Sequence, residues 1–195
     1  MYYKRKDTYG LCVDWETSGS FFDNKITQTD VIQGIQLGAA VFNRETFQIV
    51  ETLEFDIKFD AEKYLWHESA EKIHGITREH LEANGVTQEV AAVALGNLVM
   101  KYWYDTPVLL YGHNTQFDLN FTKQLMMPFD IMFNTAITVV DLSTLGVVLF
   151  DIHTSNNIFD LCDLPQRQSH NALEDVKMTI AAFKTLRDLF RAAIA

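Results

Sequence analysis

Tyr9-Gly10-Leu11-Cys12-Val13-Asp14-Trp15-Glu16-Thr17 reads as a buried strand, residues 9–14, that ends in two acids. In extended backbone successive side chains point to opposite faces, so Asp14 and Glu16 project together while Trp15 turns away. Two carboxylates side by side repel one another. Such a pair persists most readily with a cation between them, and oxygen ligands favour magnesium or manganese. One pair alone carries little weight; two later segments supply the missing parts of the same site.

Downstream of this strand the pattern stays extended. Residues 34–42 give a second strand and residues 47–59 a long alternating third, with Asn43-Arg44-Glu45-Thr46 as the hairpin turn between them. The character then changes. Residues 68–73 are helical and stop at Gly75. Thr77 caps a short helix closed by Asn84-Gly85, and Thr87 caps a longer one from Gln88 to about Trp103. Pro107 to Tyr111 is a short buried strand. Helices follow near residues 117–126, 143–150 and 172–194, with Asp141 as the cap of the second. The last helix carries a buried stripe of Leu173, Val176, Ile180, Phe183, Leu186 and Phe190. Strands first, then helices mixed with a central strand, predict one α/β domain over residues 1–195, a mixed sheet flanked by helices.

Composition agrees. A chain of 195 residues buries a sizeable core, and 48% hydrophobic with 22% charged residues is ordinary for a globular protein. With three prolines, nine glycines and no repeat or low-complexity run, linkers and disordered tails are not expected. Cys12 and Cys162 form no framework, and Cys12 reads as a small buried hydrophobe. Met1-Tyr2-Tyr3-Lys4-Arg5-Lys6 is basic with no apolar core behind it, and no apolar stretch reaches membrane-spanning length, so a cytoplasmic, reduced setting without membrane contact is expected. The net charge of −10 is the wrong sign for gripping duplex nucleic acid, where Lys and Arg contacts to phosphate dominate. It leaves room for metal ions to attract a phosphate locally.

The first of the later segments is Tyr111-Gly112-His113-Asn114-Thr115-Gln116-Phe117-Asp118, which leaves the buried strand and enters a helix. Asp118 falls in the first helical turn, where the helix dipole alone would favour an acid. The second is Ser169-His170-Asn171-Ala172-Leu173-Glu174-Asp175. His170 lies five residues before Asp175, at the start of the final helix. Asp175 stands about 100° off the core stripe, on a flank able to face a strand end. Taken singly, each is an ordinary cap or surface residue.

Together, Asp14-x-Glu16-Thr17, His113-Asn114-x-x-Phe117-Asp118 and His170-x-Ala172-x-x-Asp175 resemble the three motifs of the DEDDh 3′–5′ exonucleases, which include polymerase proofreading exonucleases and ribonuclease T. Ile73-His74-Gly75-Ile76-Thr77 also resembles a segment many members carry. The tyrosine branch of the superfamily has a tyrosine four residues before the last acid, where this chain has Asn171. The resemblance spans about residues 9–190. It implies a ribonuclease H-like fold with a five-stranded mixed sheet and two divalent cations, Mg2+ or Mn2+, per site. It also implies that Asp14 bridges both ions, that Glu16 and Asp175 complete the first ion's ligands, and that Asp118 acts directly or through water. His170 would be the general base. Val176 departs from the alanine usual after the last acid, and as a core residue it should be without catalytic consequence.

The residue types suit that chemistry. Phosphodiester hydrolysis places charge on an attacking hydroxide and on a leaving 3′ oxygen, and two cations about 3.5–4 Å apart stabilise both. Four carboxylates balance their charge. Histidine suits the base role because its unperturbed pKa of about 6.5 is close to working pH. Among substrate contacts, the resemblance suggests Thr17, His74 and Asn114, although the Thr17 hydroxyl could equally cap a turn. Phe21-Phe22 either stack on a terminal base or fold onto the core. Arg167 is the basic residue best placed in sequence for a phosphate. Phe117 reads as core, and His113 as orienting its turn.

The implied activity is removal of nucleoside 5′-monophosphates from single-stranded 3′ ends, DNA favoured, by a chain that acts distributively. A polymerase or other replication protein is a candidate partner, although no docking tail is encoded. Three alternatives remain. One is an exoribonuclease trimming RNA 3′ ends; another is a non-catalytic module, binding nucleic acid or protein on the same fold; the third, an acidic structural or interaction protein, is supported only by the charge of −10.

Overall fold

The computed structural model describes residues 8–19, 31–165 and 170–194. Tyr9–Thr17 is β1, the central strand of a five-stranded sheet. β2 (Gly34–Asn43) pairs antiparallel with β1, and β3 (Ile49–Asp56) antiparallel with β2. On the other side of β1, β4 (Leu110–Gly112) and β5 (Val140–Asp141) add in parallel, which gives the order β3-β2-β1-β4-β5. The α/β fold with a mixed five-stranded sheet is therefore as expected. β1 and β2 are buried almost throughout because both sheet faces are covered. β3, at the edge, alternates half-buried with exposed or half-buried residues. Its ladder ends at Asp56 rather than residue 59, and the extension continues only as an isolated bridge from Ile57 to Val86. The preceding turn is an Asx turn. Asn43 Oδ1 accepts the Glu45 and Thr46 N–H groups at 2.8 and 3.1 Å, and the Phe47 N–H donates to the Asn43 carbonyl at 2.7 Å.

Among the described residues the α-helices of two turns or more are α1 (Glu68–His74), α2 (Arg78–Asn84), α3 (Gln88–Tyr102), α4 (Thr115–Met126), α5 (Leu142–Phe150), α6 (Ser155–Leu161) and α7 (Ala172–Ala193). Thr77, Thr87 and Asp141 are the expected N-caps, accepting from the His80, Val90 and Thr144 N–H groups. α4 starts two residues before the expected Phe117. α6 escapes sequence reading because it is short and polar, with only Ile158 and Phe159 buried.

Strand parity sorts the layers. Leu11, Val13 and Trp15 of β1, with Leu37, Ala39 and Val41 of β2, face Ala91, Leu95, Leu119 and Phe121 of α3 and α4. Cys12, Ala40 and Phe42 face the opposite layer, where Ile158, Phe159, Val176, Ile180, Phe183 and Leu186 pack. On α7 two expected core residues differ. Phe190 is 54% exposed, since burial stops at Leu186, and Leu173 is only half-buried because Ala172 takes the contact with the sheet. Among the described residues, no helix is long and apolar enough to cross a membrane.

Candidate active site

The even-numbered residues of β1 point toward α7, so Asp14 and Glu16 share that face, about 7 Å apart along the strand. Trp15 points the other way and ties α4 down. Its indole Nε1 donates to Thr122 Oγ1 at 3.1 Å, and that hydroxyl donates to the Asp118 carbonyl at 2.8 Å. The Asp118 carboxylate, 2% exposed, accepts a further hydrogen bond from the Trp15 backbone. Its Oδ2 atom is buried without a hydrogen-bond partner among the described residues. Gly112 makes the room, because a Cβ there would stand 3.2 Å from that oxygen and from Thr115 Oγ1. Burial, reinforced by the Asp14 charge, holds the Asp118 carboxyl well above the usual carboxylate range. Burial likewise pushes the Cys12 thiol up, with Asp14 and Asp118 adding to it, so both acids act on the same interior spot.

α7 arrives from the opposite side. Gly38 lies across from Asp14 in the β1–β2 register, and a Cβ on it would stand 2.3–2.4 Å from the backbone of Ala172 and Leu173. Only glycine lets the helix start rest on the strand. Asn171 caps α7 by accepting the Glu174 N–H at 3.0 Å. Asp175 is thereby brought to 4% exposure beside Glu16 at 7%. His170 Nδ1 stands 3.6 Å from Asp175 Oδ2 and 3.8 Å from Glu16 Oε1. One ligand atom from each of the three lies within 4.8 Å of the others. These gaps exceed direct hydrogen bonds, and a cation bound at about 2.0–2.2 Å from oxygen fits between such groups. Two carboxylates and one imidazole can together hold a divalent ion, whereas Asp14 and Asp118 lie outside this group of three among the described residues.

The remaining expected residues distribute as follows. Thr17 is buried, and its hydroxyl donates to the Gly19 carbonyl at 2.8 Å. A register shift between Glu16 and Thr17 re-aims the strand end there. His74 is buried against Trp66, with Nδ1 accepting the Ile76 N–H at 3.0 Å. Burial lowers its pKa, the Thr17 backbone opposes that, and His170 is close enough to add to the lowering. Asn114 is exposed at φ 61°, a left-handed conformation asparagine tolerates, with no side-chain bond to the helix it precedes. Asp141 does that holding instead, since its Oδ2 accepts the Thr115 N–H at 2.7 Å. Phe117 packs on Phe121 with centroids 4.8 Å apart, as a core residue. Phe21, Phe22 and Arg167 lie outside the described residues.

Sequence reasoning passes over Gln36, Gly38, Gly112 and Thr122, which hold the acids rather than supply them. The one available signal is the small-residue run Gly38-Ala39-Ala40 in a strand, which marks a close approach by another element.

A family model described as Exonuclease (RNase_T) matches residues 11–183. Among solved structures, exonuclease I superposes with a TM-score of 0.73 at 21% identity, over 93% of this chain and 41% of that one. Escherichia coli exonuclease I in complex with a 5cy-dT13 oligonucleotide gives 0.71 at 21% identity, covering 94% and 41%. A zinc-ion-bound form of the E. coli exonuclease I–single-stranded DNA complex gives 0.71 at 22%, covering 94% and 41%. The chain thus spans about two fifths of the length of these structures, and identities this low establish the shared fold. No curated protein matches the chain.

Proposed function

The chain belongs to the RNase_T exonuclease family, and from that premise we propose that it is a metal-dependent 3′–5′ exonuclease. Its substrate is single-stranded DNA, and its products are nucleoside 5′-monophosphates. The observation that carries this reading is the convergence of Glu16, His170 and Asp175 within 4.8 Å, from a strand end and a helix start. Asp14 shares the face of β1 with Glu16, and its charge reaches the buried Asp118. An isolated structural ion pair has no need of two buried acids converging on one histidine.

Asp14, Glu16, Asp118 and Asp175 would hold two divalent cations, magnesium or manganese, leaving the loaded site close to neutral. When bound, such ions lower the pKa of the attacking water and stabilise the leaving 3′ oxygen. His170 is 38% exposed at the rim, where its imidazole reaches solvent and takes the attacking water's proton. Glu16 and Asp175 flank that ring and hold the imidazolium once it forms. Asn114, exposed at the start of α4, and Thr17 and His74 beside the end of β1 are the substrate contacts. Phe21, Phe22 and Arg167 are proposed to join them.

A DNA substrate is supported by the oligonucleotides bound in the E. coli exonuclease I structures. A divalent ion is supported by the zinc-bound form of that protein. We read residues 1–195 as one exonuclease domain and place it in the cytoplasm, where the buried thiols of Cys12 and Cys162 stay reduced. The test is a 5′-labelled oligonucleotide ladder on DNA, RNA and 3′-blocked ends, with and without EDTA. Stepwise shortening of free DNA 3′ ends that EDTA abolishes and Mn2+ restores is the expected result. Faster shortening of RNA would move the substrate to RNA, and hydrolysis that survives EDTA would remove the metal-dependent reading.

A further inference from the structure

One row of side chains crosses the sheet beside the site. Glu16 on β1, Gln36 on β2 and Asp56 on β3 are direct partners in the two antiparallel registers. Gln36, 7% exposed, separates two carboxylates that would repel if adjacent. Both ends of its amide are engaged. Nε2 donates to Asp56 Oδ1 at 2.8 Å, which fixes the orientation of the group. Oε1 then faces α7 and accepts the Ala172 N–H at 2.9 Å, with Asn171 Nδ2 at 3.4 Å. Asp56 is itself held, since its Oδ2 lies 2.7 Å from His80 Nε2 on α2.

Ala172 is the first residue of α7, and its N–H is one of the donors that a helix start leaves without an internal acceptor. Asn171 caps the Glu174 N–H from within the chain, whereas Gln36 takes the Ala172 N–H from the sheet. Two acceptors at different points of one turn fix both the height and the rotation of that turn. Asp175 lies three residues after Ala172 and His170 two before it, so both inherit that setting. Gly38, on the same strand, removes the bulk that would hold the helix away.

We propose that Gln36 is a positioning residue: through the Ala172 N–H it sets where Asp175 and His170 stand relative to Glu16, and so sets the affinity of the site for divalent cations. This rests on the metal-dependent reading of the site. Partners that orient ligands from behind are commonly worth about 10–100-fold in metal affinity.

Mn2+ binding, followed by the electron paramagnetic resonance signal of the free ion, tests this without activity. Gln36→Met keeps the side-chain volume but has no acceptor for the Ala172 N–H. It should weaken Mn2+ binding about 10–100-fold, while saturating Mn2+ restores kcat and leaves KM for the oligonucleotide unchanged. Should Gln36→Met not fold, Gln36→Asn, a methylene short of Ala172, makes the same comparison. Wild-type affinity in the folded single variant would overturn the role of Gln36. Wild-type protein that binds no Mn2+ would overturn the metal-dependent reading, and this inference with it.

Discussion

An acid held at 2% exposure within reach of a second acid opposes folding whenever both are charged, and Asp118 is in that position. Its folded pKa is raised, so between its unfolded value of about 3.9 and that raised value the folded state holds the extra proton. Metal-free protein should therefore be most stable near or below pH 4 with respect to this group, and lose that stability as pH rises. Asp118→Asn should flatten this pH dependence. At pH 7 it should raise the melting temperature of the metal-free protein by about 2–4 °C for each kcal/mol relieved, with no gain at pH 4. Mn2+ should raise the melting temperature of wild type more than that of the variant. Calorimetry with and without EDTA checks both statements. A second residue-scale expectation concerns His170, which is part-exposed, so that His170→Ala should leave stability nearly unchanged. Hydrolysis should slow by about 10²–10⁴-fold, the usual scale for a general base, and single-turnover kinetics measures it. The acids and the histidine were legible in the sequence because their order and residue types state a chemistry. The Asp118 environment was not, because it depends on Gly112 and on a hydrogen bond from Trp15, residues that carry no chemistry of their own.

At the scale of elements, the contact between α7 and β2 decides whether two parts of the chain become one site. Gly38→Ala would place a methyl group 2.3 Å from the Ala172 carbonyl carbon, and backbone on both sides leaves little to yield. A loss of about 1–3 kcal/mol is expected, typical of forced overpacking. The rate should fall by more than that loss of stability accounts for, since Asp175 and His170 ride on the displaced helix. Urea denaturation and steady-state rates on the same preparation separate the two effects. Long, strongly patterned elements could be read directly: β1, β2, the Thr77 and Thr87 caps, and the middle of α7. Elements with few buried residues could not. β5 is two residues long and α6 buries only Ile158 and Phe159, so neither gives a periodic signal. The shift of the α7 stripe from Leu173 to Ala172 was hidden for a different reason. It is set by the missing Cβ of a glycine on another strand.

For the whole molecule the dominant quantity is the charge of −10. Phosphate contacts release counterions, and few such contacts are available to an acidic chain. Binding of a single-stranded oligonucleotide should therefore show a shallow salt dependence, with a log–log slope no steeper than about −2, the equivalent of three contacts. Titrations between 50 and 200 mM salt, monitored by fluorescence anisotropy, would measure it. With so weak a hold, this 195-residue chain should leave the strand after few cleavages when challenged with excess unlabelled DNA. The burial of Cys12 has a practical consequence at this scale. The thiol sits at 0% exposure in the middle of the central strand, under the α7 layer, and is kept protonated by its surroundings. An alkylating reagent reaches it only when that layer parts, so the labelling rate at this one sulfur serves as a built-in gauge of how often the sheet is uncovered.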